Sequence, residues 1–329
     1  MPTAPIAQVQ KMDCIDASSA SHFVAIVLMN AMDIRTSRYF AAIAQHGSIR
    51  DAADALNIAQ SALSRQILKL EQDFGVTLFE RHPRGVALTA AGEVYLRYAR
   101  EQIAQSEHMR AELHALSGVH RGTVRIAAIE SLVQSLLPGL IAAFREQHPG
   151  VTFDVKMDGS ERIIEAVREI DTDIGMTYYS QPASDLEVRV SAREPLVAIV
   201  AAEHALAKQQ RVGLRDVAAF PTALTTRGSR SRNLIDTACW KAGVSLSPVL
   251  ETNSVELLTG LVERSDTVTF LLRLSAADGI RNGTLAAVPV RSEILNMGTI
   301  EVLTRTSRKL SPVSEAFLGF LGTQLAAGR

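Results

Sequence analysis

The chain has 329 residues, 47% apolar and 21% charged, which excludes a disordered or fibrous protein and leaves enough chain for two or three domains with substantial cores. Its formal net charge is −1, so any surface built for a polyanion must be local rather than a property of the whole chain. The two cysteines, Cys14 and Cys239, stand far apart, which excludes a disulfide framework and a cysteine metal cluster and fits a reducing cytosol. Cys239, next to Trp240 on a helical stretch, reads as buried filler in preference to a redox switch.

Residues 1–31 carry an apolar run at 23–29 that is too short to span a bilayer. Lys11 is offset by Asp13 and Asp16, and Met-Asn-Ala is a poor cleavage site, so a secretory signal does not fit well. Two readings stay open: a flexible leader, or a mis-assigned start with synthesis beginning at Met32. No membrane association is expected, and the cytoplasm is the expected location.

Within 35–45, Tyr39, Phe40, Ile43 and Ala44 mark one face of a helix that Gly47 stops. Ser48 caps a second helix, with Asp51 three residues on. Ala52, Ala53 and Ala55 let neighbouring helices approach closely. Asn57 takes the left-handed turn, and Ile58 plugs that turn into the core. A third helix is expected over 61–74, with Leu63, Ile67 and Leu70 inward and Gly75 as its left-handed stop. Its outward face carries Gln60, Ser61, Ser64, Arg65 and, a turn on, Lys69. Gln pairs with adenine, Arg with guanine, and Ser with bases or phosphates, so this face suits the major groove of DNA. The plain alternative is a solvated polar face on a small helical domain. Two short strands, 76–79 and 86–88, follow as a wing. Arg81, His82 and Arg84 surround its Pro83/Gly85 turn, within reach of the DNA backbone or minor groove.

Over 32–89 the segments MDIRTSRYFAAIAQHGSI, AADALNIAQSALSRQILKLEQDFGVTLFER and LTAAGE resemble, without a gap, the N-terminal domain of LysR-type transcriptional regulators. The family often has an aromatic where Ile49 stands and a proline where Ser61 stands. Ser61 can still cap or open a helix, so the winged helix-turn-helix (helix-turn-helix at 49–68) is expected regardless. The resemblance implies DNA contacts from Gln60, Ser61, Ser64 and Arg65 on the recognition helix and from Arg81 and Arg84 on the wing. The family's usual start coincides with Met32.

Thr89 is a good N-cap for a long helix over 90–117, within a linker assigned to 90–121. Tyr95, Ala99, Gln102, Ser106, Met109, Leu113 and Leu116 alternate by four and three, an imperfect coiled-coil seam. That stripe either packs on its own domain or joins two chains. The second is favoured, because one helix-turn-helix reads only a half-site. The resemblance implies a dimerising linker, a dimer or a pair of dimers, and an operator arranged as an interrupted inverted repeat in double-stranded DNA.

From Gly122 the pattern alternates strand and helix: strands at 123–128, 151–157 and 173–177 with helices at 132–147 and 160–170, then a buried strand at 195–202. Further units follow at 222–224, 231–242, 249–251, 255–262 and 267–272, closing with a strand at 299–304 and a helix at 312–325. Periodicity alone gives open-sheet α/β. VTFDVKMDGSERIIEAVREIDTDIGM and SRKLSPVSEAFLGFL resemble the effector-binding region of the same family. That implies a two-lobed, periplasmic-binding-protein-like domain over 122–329, with lobe I at 122–193 and 301–329 and lobe II at 194–300. In such sheets a ligand sits beyond the carboxyl ends of the strands. Ser131, Ser160, Thr225 and Thr226 hold those positions, and their hydroxyls with helix amides suit a carboxylate or sulfate on a small-molecule effector. For Ser160 a simple helix-cap role is an equal alternative. Of Arg227, Arg230 and Arg232, at least two are expected to be solvated. Where the family commonly has a glycine-rich turn, this chain has Glu263-Arg264-Ser265-Asp266-Thr267, with Arg273 beyond, so the usual effector chemistry transfers less directly there.

No phosphate loop, nucleophile elbow, metal-binding His/Glu helix or paired-cysteine motif is present in the sequence, and the eight histidines are scattered. No catalytic residue, metal or cofactor is expected. A solute-binding protein would explain only the second half. The combined expectation is an α/β protein, with a winged helix-turn-helix, a long linker helix and a two-lobed domain, that regulates transcription in response to a small molecule.

Overall fold

The computed structural model describes residues 33–83, 85–116, 121–180, 184–306 and 308–327, with backbone only for 114–116 and 327. The expected leader, Met32, Cys14, Arg84 and the side chain of Leu116 lie outside the described residues. Two compact units part between Ser106 and Glu107.

The first unit holds α1 (Ile34–His46), α2 (Ile49–Leu56), α3 (Gln60–Phe74), the hairpin β1 (Phe79–His82) and β2 (Gly85–Leu88), and the first part of α4 (Ala90–Leu116). The punctuation follows local chemistry. The Asp33 carboxylate accepts the Arg35 N–H, and Ser48 Oγ accepts the Asp51 N–H at 3.3 Å. Asn57 takes the left-handed conformation between α2 and α3, as Gly75 does after α3. Phe40, Ile43, Leu63, Ile67 and Leu70 fill the core. The Phe40 ring lies 4.5 Å from that of Phe79 and 4.7 Å, edge-on, from that of Tyr95.

The wing starts later than the 76–79 expected. Glu71 accepts the N–H groups of Leu78 (2.7 Å) and Phe79 (3.1 Å), which ties this stretch to α3, and pairing begins only at Phe79 opposite Leu88. Val76 is left exposed. Arg81 and His82 therefore belong to the strand and not to the turn. Gly85, at φ +143°, lets the hairpin close onto α1: Val86 N–H donates to the Gly47 carbonyl at 2.8 Å, and a Cβ on Gly85 would overlap that same oxygen.

Thr89 Oγ1 accepts the Gly92 N–H and opens α4. The expected intersubunit seam fails over its first half. Tyr95 and Ala99 are buried in their own unit's core, and Gln102 accepts a hydrogen bond from Ser37 (2.8 Å) while donating to the Tyr98 hydroxyl (2.6 Å). The aromatic pocket around Phe40 captures this stripe. Only further along do Met109 and Leu113 stand exposed, at 54% and 57%.

The second unit is built on two sheets. The first has the order β4-β3-β5-β12-β6, with β3 (Gly122–Ala128), β4 (Val151–Met157) and β5 (Ile174–Tyr178) parallel and β12 (Thr299–Arg305) antiparallel between β5 and β6 (Leu186–Arg193). The second sheet sets β7 (Leu196–Ala201) between β10 (Thr269–Leu272) and β11 (Leu285–Val288), all antiparallel. The parallel pair β8 (Thr222–Thr225) and β9 (Pro248–Thr252) joins it through a bridge from Thr222 to Val268. The chain passes from the first sheet to the second between β6 and β7 and returns ahead of β12.

Helices cover these sheets: α5 (Glu130–Ser135), α6 (Leu137–Gln147), α7 (Ser160–Arg168), α8 (Leu214–Val217), α9 (Arg230–Ala242), α10 (Val255–Val262), α11 (Ala277–Asn282) and α12 (Pro312–Ala327). The single helix expected at 132–147 is in fact two, broken at Leu136 one residue ahead of the helix that carries Pro138 in its first turn. The helix expected to reach 170 ends at Arg168, because Ile170 turns to positive φ. β6, β11 and α11 were not legible from periodicity. β6 is an edge strand whose middle is exposed, and β11 reads Leu-Ala-Ala-Val with no strong β-formers at its centre.

Candidate nucleic-acid interface and ligand cavity

Helix α3 presents the expected polar face. Gln60, Ser61, Arg65 and Lys69 are exposed and Ser64 is half-buried, while Leu63, Ile67 and Leu70 turn inward. The helix begins at Gln60, one residue earlier than expected, so Ser61 is its second residue and not its cap. The N-cap is Ala59, which has no side chain to cover the first N–H groups. The uncapped amides and the positive end of the helix dipole sit beside Gln60 and Ser61, an arrangement suited to a phosphate oxygen. Arg81 is exposed on β1, and Arg84 lies outside the described residues.

In the second unit the strand ends converge. The loops after β3, β4, β8 and β9 line one cavity of about 450 Å³, in the range of small-molecule pockets. Ser131, Ser160, Thr225 and Thr226 all line it. Ser131 is the second residue of α5 and is buried. Ser160 opens α7, whose N-cap is Gly159, so the cap alternative for Ser160 does not hold. Thr225 is buried and accepts from Ser229 Oγ at 3.1 Å, with Ser231 Oγ 3.2 Å away, while Thr226 is exposed. The helix expected from 231 begins at Arg230, with Ser229 as its N-cap accepting the Arg232 N–H.

The expectation that two of the three loop arginines are solvated is overturned. Arg227 alone is largely exposed. Arg232 is buried, donating to the Thr225 carbonyl (2.9 Å), Asp236 (2.8 Å) and Glu251 (3.1 Å), and so stiffens the loop from beneath. Arg230 pairs with Glu161.

Tyr178, Asn253, Glu130 and Asp158 also line the cavity and were not anticipated. The rule that selected Thr225, a polar residue after a parallel strand, applies equally to Asn253 after β9. The Tyr178 hydroxyl donates to the Glu194 carbonyl at 2.9 Å, and burial, then the Glu194 charge, push its pKa well up, so it stays a neutral donor. Arg273, flagged by the departure near 263–267, lies in a second hollow beside Glu194 and Ile280, and only Leu271 and Leu272 from that region reach the cavity. Cys239 is buried, and burial ahead of the Asp236 charge pushes its thiol up to about 11, which suits filler. Among the described residues no cluster of His, Cys, Asp and Glu is arranged to hold a metal ion, and no helix is long and apolar enough to cross a membrane.

A winged helix-turn-helix in one unit and a two-sheet, cleft-bearing fold in the other define a ligand-responsive DNA-binding regulator. The family model for the bacterial regulatory helix-turn-helix protein, lysR family, matches residues 34–93, and that for the LysR substrate binding domain matches 117–326. The chain belongs to the LysR-type family of transcriptional regulators. It is 31% identical over 291 residues to the transcriptional dual regulator GltC of Bacillus subtilis, covering 88% of this chain and 96% of that protein. It is 29% identical over 297 residues to the SDS degradation transcriptional activation protein of a Pseudomonas species, covering 88% and 95%. The same fold is found in full-length OxyR from Pseudomonas aeruginosa (TM-score 0.68, 21% identity, 89% and 94% covered). It is found again in full-length CbnR complexed with its target DNA (TM-score 0.61, 22% identity, 88% and 98% covered).

Proposed function

We propose that Gln60, Ser61, Ser64 and Arg65 read base edges and adjoining phosphates of a double-stranded operator. Lys69, Arg81 and Arg84 bind its backbone. The domains run as 32–89 for DNA, 90–121 for the linker, and 122–329 for the effector, with lobe I at 122–193 and 301–329 and lobe II at 194–300. Each operator half-site takes one copy, so the working regulator is a dimer or a pair of dimers on an interrupted inverted repeat. It acts in the cytoplasm and has no catalytic role.

The cavity holding Ser131, Ser160, Thr225 and Thr226 takes a small-molecule effector. The observation that carries this reading is the convergence of four strand-end loops from two sheets on one partly apolar cavity. A ligand bridging the two lobes binds one lobe geometry better than another and shifts the population toward it. The lobe geometry then sets the spacing of paired DNA-binding domains.

The test is capture of genomic DNA by the purified full chain, repeated with a metabolite library. One recurrent palindromic site is expected, with affinity or footprint length altered by a single ligand class. Captured fragments without a shared site would remove the reading.

A further inference from the structure

An ion pair joins the two walls of the cavity. Arg230 opens α9 on the second sheet's side, Glu161 lies in the first turn of α7 on the first sheet's side, and Arg230 Nη2 is 2.5 Å from Glu161 Oε1. The partners are unlike. The Arg230 side chain is 24% exposed and lines the cavity, whereas that of Glu161 is 70% exposed and does not line it. A guanidinium offers a planar fork of donors matched to a carboxylate. Here Glu161 takes Nη2, while the Nε of Arg230 is buried with no acceptor. The fork is half used, and a buried N–H without a partner favours any ligand that supplies one.

The other arginines cannot serve. Arg232 is committed to Thr225, Asp236 and Glu251, and Arg227 does not line the cavity. The remaining wall is apolar at Ile129, Leu196, Val255, Leu271 and Leu272. Two acids also face the cavity. Glu130 accepts from Gln134 and Asp158 from the Gly159 N–H, and acidic side chains on the lining repel a dianion more than a monoanion.

We propose that Arg230 anchors the carboxylate of a small monocarboxylate effector with an apolar body, and that Glu161 is a built-in competitor which holds Arg230 until that carboxylate replaces it. The proposal rests on the cavity being the effector site. The ligand takes Nε and an Nη together, a bidentate geometry Glu161 does not make. Glu161 is released into water with little desolvation to reverse, and one carboxylate replaces another on the same cation. Because the broken bond spans the two lobes, filling the cavity and freeing the lobes become one event.

The experiment is calorimetry on the full chain. Benzoate and hexanoate are the monocarboxylate probes, benzamide and hexanamide their neutral isosteres, and succinate and sulfate the dianions. In the wild type the acids are expected to bind at least about tenfold tighter than the amides. Glu161→Gln, which breaks the pair without altering the cavity wall, is expected to tighten acid binding by about threefold or more while leaving amides unchanged. Arg230→Gln should weaken acid binding about tenfold and erase the preference for acid over amide, and Arg230→Lys, which keeps charge but not the fork, should fall between. A single cooperative melting transition close to that of the wild type establishes that each variant is folded. The anchor is overturned if Glu161→Gln leaves acid affinity unaltered, if Arg230→Gln keeps the preference, if the dianions bind best, or if neither acid binds Glu161→Gln. A Thr226→Trp variant, which sets a bulky ring at the cavity's exposed rim, separates the two readings. Amides and acids binding alike but blocked by Thr226→Trp would end the anchor and keep the cavity; binding indifferent to Thr226→Trp would end the cavity reading itself.

Discussion

The outer face of α3 and the wall of the cavity are both polar, yet they are built on opposite terms. On α3 the polar groups Gln60, Ser61, Arg65 and Lys69 face water and rest on a rigid apolar floor of Leu63, Ile67 and Leu70. In the cavity, the hydroxyls of Thr225, Ser229 and Ser231 are tied to one another, and the buried Arg232 holds the Thr225 carbonyl from beneath. A surface that reads a long, charged partner can leave its donors to water until contact. Around the cavity most polar groups hold one another, because a buried polar group lacking a partner destabilises the fold; the Nε of Arg230, buried without an acceptor, is the exception. Function and stability are therefore separable on α3 and entangled in the cavity-bearing unit.

That difference can be broken by mutation, starting with the strongest case. Asp173 is buried and accepts from Arg308 Nη2 (2.6 Å), the Arg125 N–H (3.1 Å) and Ser314 Oγ (3.2 Å). Asp173→Ala is expected to cost about 3–5 kcal/mol of stability, because the nearly buried Arg308 loses its counter-charge. Denaturant titration of the second unit checks this. Thr225→Val should cost about 1 kcal/mol by removing the hydroxyl that Ser229 and Ser231 both contact, while Ser64→Ala on α3 should shift stability by less than about 0.5 kcal/mol. Equal costs for the two would dissolve the contrast. Lys69→Ala should leave melting unchanged, weaken all DNA sequences alike and lower the slope of log affinity against log salt by about one.

A further effect appears only in alkaline solution. The Cys239 thiol, raised by burial to about 11 against an ordinary value of 9.0, keeps its proton longer in the folded chain than in the unfolded one. Its contribution to stability is therefore whole below about pH 9 and lost as pH climbs toward about 11. Comparing wild type with Cys239→Ala across that window isolates it.

How much was legible in the sequence follows the same divide. The helix-turn-helix is local: Gly47, Ser48, Asn57 and Gly75 punctuate three helices within about forty residues, and each helix's inward and outward side chains are read from one helical period. The wing's start was misplaced because it depends on Glu71 binding Leu78 and Phe79, a tertiary contact invisible to alternation. The linker stripe failed for a related reason. Spacing shows that Tyr95 and Ala99 share a face but not which partner covers it, and Phe40 does so within the same chain. In the cavity, the strand-end rule found Ser131, Ser160, Thr225 and Thr226. It could not tell that Arg230 and Arg232, two residues apart, have opposite fates, because their partners Glu161 and Glu251 lie on other elements.

The central claim is that α3 discriminates among base pairs, and Arg65→Ala tests it most directly. A recovered operator and a library varied at each position should be titrated with wild type and variant at fixed salt. The account predicts a loss of about 1–3 kcal/mol on the operator, confined in specificity to one base pair per half-site, with melting unchanged. An Arg65→Ala protein that binds the operator and every library member as the wild type does would contradict it.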